Sequence, residues 1–219
     1  MFPLVLLPFV FIATFVFVFS VLMLQRNSSK TKVEFIADGK LPRELRQRLV
    51  DRDKEYFDAG FEFCHNRITK RRGSICYARY YLHIDRLTMA CDCVCTDTFR
   101  TQRLFPTAMK SVLEDGTIVE ISSNDEDELT ELFHGLTYES RLRVHAAGTT
   151  DVDELHDSHD GFLATAVADL NCQPIEIYSD MISELDEYTL NLVDWEMYRR
   201  GMITNEPGPL SFSQELTTT

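Results

Sequence analysis

ICYARYYLHIDRLTMACDCVCT, residues 75–96, decides how the chain folds. Apolar and polar side chains alternate on both sides of Asp85-Arg86, the period of a β-strand whose two faces meet different surroundings. A two-residue loop at Asp85-Arg86 makes a hairpin in which the numbers of paired residues sum to 171. Cys76 then faces Cys95, Ala78 faces Cys93, Tyr80 faces Cys91 and Leu82 faces Met89, all on one side of the sheet. On the other side Arg79 lands opposite Asp92, an attractive cross-strand pair. One register thus gathers an apolar face and matches charges on its back.

That register constrains the chemistry of Cys91, Cys93 and Cys95. Alternate side chains on one strand stand about 7 Å apart, whereas two sulfurs on one zinc ion lie roughly 3.8 Å apart. Neighbours in this row therefore share neither a metal nor a disulfide, which needs Cβ atoms within about 4.5 Å. The expectation is three small apolar residues on a buried face. A redox pair such as Cys76 with Cys95 is the alternative, and Cys64 and Cys172 have no partner identifiable from sequence.

Working outward, Phe61 to Arg67 reads as a strand. Thr107 to Ser123 reads as a hairpin around Glu114-Asp115-Gly116, with Gly in the left-handed position of a three-residue loop. This places Lys110 opposite Glu120 and Met109 opposite Ile121. A helix is expected from Leu41-Pro42 to Gly60, carrying Leu45, Leu49 and Tyr56 on one face and Arg43, Arg46, Arg48, Arg52 and Lys54 on the other. A second follows Ser123-Asn124, with Asp125 to Glu128 in its first turn. A third runs from Thr150 or Asp151 to Leu170, a fourth starts at Ser179, and Pro174 to Tyr178 suggests a short strand. Strands followed by helices predict an α+β domain with an antiparallel sheet of about four to five strands, covered on one face by helices.

Phe2 to Leu24 carries no charge, and about 22 helical residues span roughly 33 Å, enough for a bilayer core. A cleaved secretory signal fits poorly, because the segment lacks a basic leader and its apolar run is too long. Residues 1–24 are therefore expected to form a transmembrane anchor, 25–40 a juxtamembrane linker, 41–204 one domain and 205–219 a disordered tail. Arg26, Lys30 and Lys32 follow the span and no cation precedes it, which predicts an amino terminus outside and a cytoplasmic domain with reduced thiols. Asn27-Ser28-Ser29 matches a glycosylation sequon but abuts the membrane.

Charge divides the chain. Residues 25–110 hold 18 Lys and Arg against 11 Asp and Glu, while residues 111–219 hold 4 against 24. The basic part, beside the anchor, suits an anionic leaflet. The acidic part repels nucleic acid and offers a surface to a basic protein partner.

Within Asp151 to Gly161, His156 and His159 lie one helical turn apart among Asp153, Asp157 and Asp160. Such spacing suits a metal, yet continuing the stripe of Val152, Leu155, Phe162, Leu163, Ala166 and Leu170 turns both imidazoles inward, where a core histidine holding a hydrogen bond is the expectation. The chain has no phosphate loop, nucleophile elbow or activated cysteine context, so no catalytic, cofactor-binding or metal-ligating residue and no cofactor is assigned. The functional expectation is a single-pass, membrane-anchored binding or scaffolding module. Its alternatives are a metal-dependent enzyme or sensor using His156 and His159, and a redox sensor using Cys76 and Cys95.

Overall fold

In the computed structural model, which describes residues 32–71, 74–96, 102–123, 141–199 and 206, the central hairpin has the register read from its sequence. Strand β3 (Ser74–His83) pairs antiparallel with β4 (Met89–Thr96), and Cys76↔Cys95, Ala78↔Cys93, Arg79↔Asp92, Tyr80↔Cys91 and Leu82↔Met89 are partners. The connection is wider than two residues. The His83 amide donates to the Thr88 carbonyl and the Arg86 amide to the His83 carbonyl, both at 2.9 Å, and Arg86 takes a left-handed φ of 61°.

Five further strands complete a seven-stranded sheet, in place of the four to five expected: β1 (Lys32–Ile36), β2 (Phe61–Arg71), β5 (Gln102–Val112), β6 (Ile118–Ser122) and β7 (Leu142–Ala146). The strands lie side by side in chain order, and all neighbours are antiparallel except β6 and β7. The sheet is therefore mixed, because a parallel neighbour needs a crossover rather than a turn. The chain making that crossover, with the helix expected around Asp125 to Glu128, lies outside the described residues. The β5–β6 hairpin keeps its expected register, Lys110↔Glu120 and Met109↔Ile121, and Gly116 at φ 80° closes the three-residue loop. β1 occupies part of the segment read as a linker. Its Val33 and Phe35 are exposed, so the backbone ladder to β2 rather than burial holds it.

Two bulges set which way side chains point. Phe63 pairs with Tyr81 but His65 with Tyr80, so Cys64 is an extra residue in β2. Beyond it Asn66 shares a face with Arg79, and Arg67 shares the opposite face with Tyr80. The second lies in β5, where Cys91↔Ala108 gives way to Cys93↔Phe105 around Pro106 and Thr107. Proline has no amide for the ladder, which suits a bulge.

Helices cover both faces of the sheet, not one. The helix expected at 41–60 is two: α1 (Arg43–Asp51), with Pro42 as its N-cap, and α2 (Asp53–Asp58), separated at Arg52. They lie on the same face as α3 (Val152–Leu170), where Tyr56, Phe61, Tyr81, Ala90, Met109, Ile121, Val152 and Leu155 pack together and Leu113, Val119, Leu163 and Ala166 extend the layer. On the other face Ile182, Leu185, Tyr188 and Leu192 of α4 (Ile182–Arg199) pack on Ala78, Tyr80, Leu82, Met89, Cys91 and Ile118. Each large apolar side chain so buried contributes about 1.5–3 kcal/mol. Pro174 to Tyr178 forms only a bridge, Leu113↔Pro174, rather than a strand.

Polar networks pin the helices to the sheet. Arg79 and Asp92 do not bond each other as the register suggested. Arg79 grips both oxygens of Asp53, at 2.7 and 2.8 Å, and also donates to Asp38 and Asn66. Asp92 accepts from Tyr56 at 2.8 Å, Thr107 at 2.6 Å and Arg52 at 3.1 Å. On the α4 face Asp186 meets Arg67, the Tyr80 hydroxyl and Lys110, whose ammonium lies 3.1 Å from Glu120. Such buried ions persist only when paired and hydrogen-bonded.

Among the described residues no helix is long and apolar enough to cross a membrane. The anchor expected at Phe2–Leu24 lies outside them, as does the tail from 205 onward except Glu206.

Candidate metal centre

The end of the β3–β4 hairpin meets the first turns of α3. Asp85 folds back so that its Oδ1 accepts the Leu87 amide at 2.8 Å, which fixes the carboxylate two residues beyond His83. His83 Nδ1 lies 2.9 Å from the same oxygen, without the alignment of a hydrogen bond. From the other side, Asp151 caps α3 by accepting the Glu154 amide at 3.1 Å. That start phases the helix so that Val152, Leu155, His159 and Leu163 face the sheet and His156 stands at its rim. The His156 ring lies 4.4 Å from the His83 ring and 5.2 Å from Phe61, centroid to centroid. Gly60, at φ 85°, passes beneath, and a Cβ there would come within 2.9 Å of His83 Nε2.

One donor atom from each of His83, Asp85 and His156 falls within 4.8 Å of the others. Asp160, one helical turn beyond His156, places a second carboxylate beside these three donors, with Oδ1 3.8 Å from His156 Nε2. His83 Nδ1 and His156 Nε2 are buried and lack a hydrogen-bond partner, an arrangement that leaves lone pairs available. Burial holds the His156 imidazole below the ordinary histidine range, despite Asp160, and so favours the neutral form a metal needs. Asp160 is in turn held low, first by His159.

The donor set fits a divalent ion. Tetrahedral zinc with bonds of about 2.0–2.1 Å holds its ligands about 3.3 Å apart, so donors within 4.8 Å of one another need to close by at most about 1.5 Å. Two imidazoles and one carboxylate suit zinc or another borderline first-row ion better than calcium or magnesium, which prefer oxygen throughout.

The structure separates the two histidines that the sequence paired. His156 joins His83, a residue sequence reasoning passed over, although His83-Ile84-Asp85 at a strand end carried a signal. His159 is fully buried, as its place in the apolar stripe implied, but neither ring nitrogen has a hydrogen-bond partner. Asp153 and Asp157 point to solvent. Among the cysteines, Cys91 is buried and Cys93 half-buried on the α4 face, as expected of packing residues. A side-chain hydrogen bond with the neighbouring Cys93, and then burial, push the Cys91 thiol up. Cys76 departs from the expectation of a reduced thiol: it is disulfide-bonded.

The chain matches no protein family, no curated protein and no solved structure.

Proposed function

We propose that this protein is a membrane-tethered module that binds a divalent transition-metal ion, of the zinc class, through His83, Asp85 and His156. The convergence of those three donors from a hairpin and a helix 73 positions apart is the observation that carries the reading. Three protein donors leave a coordination position for water or a ligand, a pattern of exchangeable rather than closed structural sites. The exposed carboxylates of Asp153, Glu154, Asp157, Asp160 and Asp169 along α3 support it further, since a negative field concentrates cations at the mouth of the site. Tethering by Phe2–Leu24 would hold the module at a bilayer, where the same acidic surface meets a basic partner.

The test is metal analysis and zinc titration of the full chain in detergent. About one equivalent is expected, retained in His159→Ala and lost in both His83→Ala and His156→Ala. Binding lost in His159→Ala but kept in His83→Ala would return the site to the helix alone, and no binding by the parent chain would refute the reading.

A further inference from the structure

We infer that the folded domain matures in an oxidising compartment, where Cys76 and Cys95 are joined across the β3–β4 ladder while the other cysteines stay as thiols. Cys76 is disulfide-bonded, and the residue facing it is Cys95. Cys64, Cys91, Cys93 and Cys172 are free. The facing residues of an antiparallel pair have Cα atoms about 4.5–5.5 Å apart, inside the range a disulfide accepts, so the link asks for no backbone movement. Ala78 and Tyr80 are what stand opposite Cys93 and Cys91, so the ladder offers those two no sulfur.

Position along the strands explains why this pair alone is available. Ala78 to Leu82 are buried between the helical layers, whereas Ile75, Cys76 and Tyr77 at the far end of β3 are half-buried and reachable by an oxidant. Of the free thiols Cys91 is buried, while Cys64, Cys93 and Cys172 are half-buried like Cys76 but have no cysteine opposite them in the ladder. Burial, with Glu62 beside it, pushes Cys64 up to about 11, and Cys91 is raised as well, so neither offers much thiolate to exchange chemistry.

The step is thiol–disulfide exchange with a disulfide-bearing oxidant. The Cys76 thiolate attacks one oxidant sulfur, forming a mixed disulfide and expelling the other as a thiolate. The Cys95 thiolate then attacks the Cys76 sulfur and expels the second oxidant thiolate. Two protein thiols lose two protons and two electrons, and the oxidant leaves as its dithiol. A reducing cytosol keeps such a pair as thiols. The link therefore stands against the cytoplasmic orientation drawn from Arg26, Lys30 and Lys32 alone. On the oxidising side, the Asn27-Ser28-Ser29 sequon would share the compartment with the domain.

The experiment uses the full chain in its membrane. Cells are quenched with a membrane-permeant maleimide and lysed in denaturant containing the same reagent, so that buried free thiols are labelled too, and tryptic peptides are read without reduction. The expected result is residues 73–79 linked to residues 87–100 in most molecules, with maleimide on Cys91 and Cys93 and none on Cys76 or Cys95. Maleimide on Cys76 in most molecules would overturn the proposal. In parallel, protease is added to sealed vesicles with their cytosolic face outward. The domain should survive until detergent is added, and its digestion without detergent would overturn the compartment even if the link were present.

Discussion

Replacing Asp92 with Ala tests whether buried polar bonds, rather than apolar contact alone, hold α1 and α2 on the sheet. Asp92 is 5% exposed and its carboxylate gathers Tyr56, Thr107 and Arg52 at 2.6–3.1 Å. Removing one member of a buried ion pair destabilises by about 3–5 kcal/mol, mostly because the partner is left uncompensated. Here the Arg52 side chain is a quarter exposed and keeps Glu55 at 3.1 Å and the Thr150 carbonyl at 2.8 Å. Those contacts, with Thr107 still accepting from Arg52 at 2.6 Å, place the effect at the lower end, about 3 kcal/mol, with the stranded Tyr56 hydroxyl contributing most of it. For a domain of this size that is a fall of about 6–12 °C in Tm. Thermal unfolding of the full chain in detergent, followed by circular dichroism, reads it directly. Glu55→Ala breaks only the exposed end of the same network and should move stability by less than about 1 kcal/mol. A shift under about 2 °C for Asp92→Ala, with unchanged secondary structure, would show that the network is incidental to docking. So would strict additivity of Asp92→Ala with Tyr56→Phe, since bonded neighbours should couple by about 0.5–3 kcal/mol.

Gly60→Ala combines a left-handed backbone with a Cβ 2.9 Å from His83 Nε2; about 1–2 kcal/mol of stability should go, and zinc affinity should weaken with it, so an unchanged titration would place the metal elsewhere. His65 is held below the ordinary histidine range by burial and by Arg67. Its contribution is therefore fully present above about pH 6.5 and is lost as pH falls through its lowered value. His65→Gln should flatten the stability profile below about pH 6.5, and a parallel, merely offset profile would contradict this. With its thiol near 11 against an ordinary value of 9.0, Cys64 should react with maleimide at pH 8 about a hundredfold more slowly than an exposed cysteine; peptide mapping of timed labelling checks the rate.

The proposed zinc site and the Cys76–Cys95 pair differ in how far the sequence could carry them. Cys76 and Cys95 sit on neighbouring strands of one hairpin, and a period of two with a short turn leaves a single register that buries one face and satisfies the other. His83 and His156 belong to elements with no local pairing between them. Only α3 packing over Phe61 brings the two rings together. The helical spacing of His156 and His159 gave no sign of His83, because a turn of 3.6 residues puts His159 into the apolar stripe and His156 at its margin, beside the hairpin end. Arg79 and Asp92 show the same limit. Their register was legible, but Asp53 and Arg52 arrive from α1 and α2 to take each of them.

By itself the sequence determined the features whose information is local: the β3–β4 and β5–β6 registers, the Gly116 turn, and the Asp151 start of α3. Each follows from side-chain alternation or from a capping or turn residue within a few positions. The tertiary structure decided the rest. Cys64 reverses the facing of β2, exposed β1 joins mainly through its backbone ladder, β7 enters parallel, and α4 packs opposite α3. None of these has a local signature, because each depends on which distant surface closes over an element, and that choice is made by the summed burial and pairing of the whole fold.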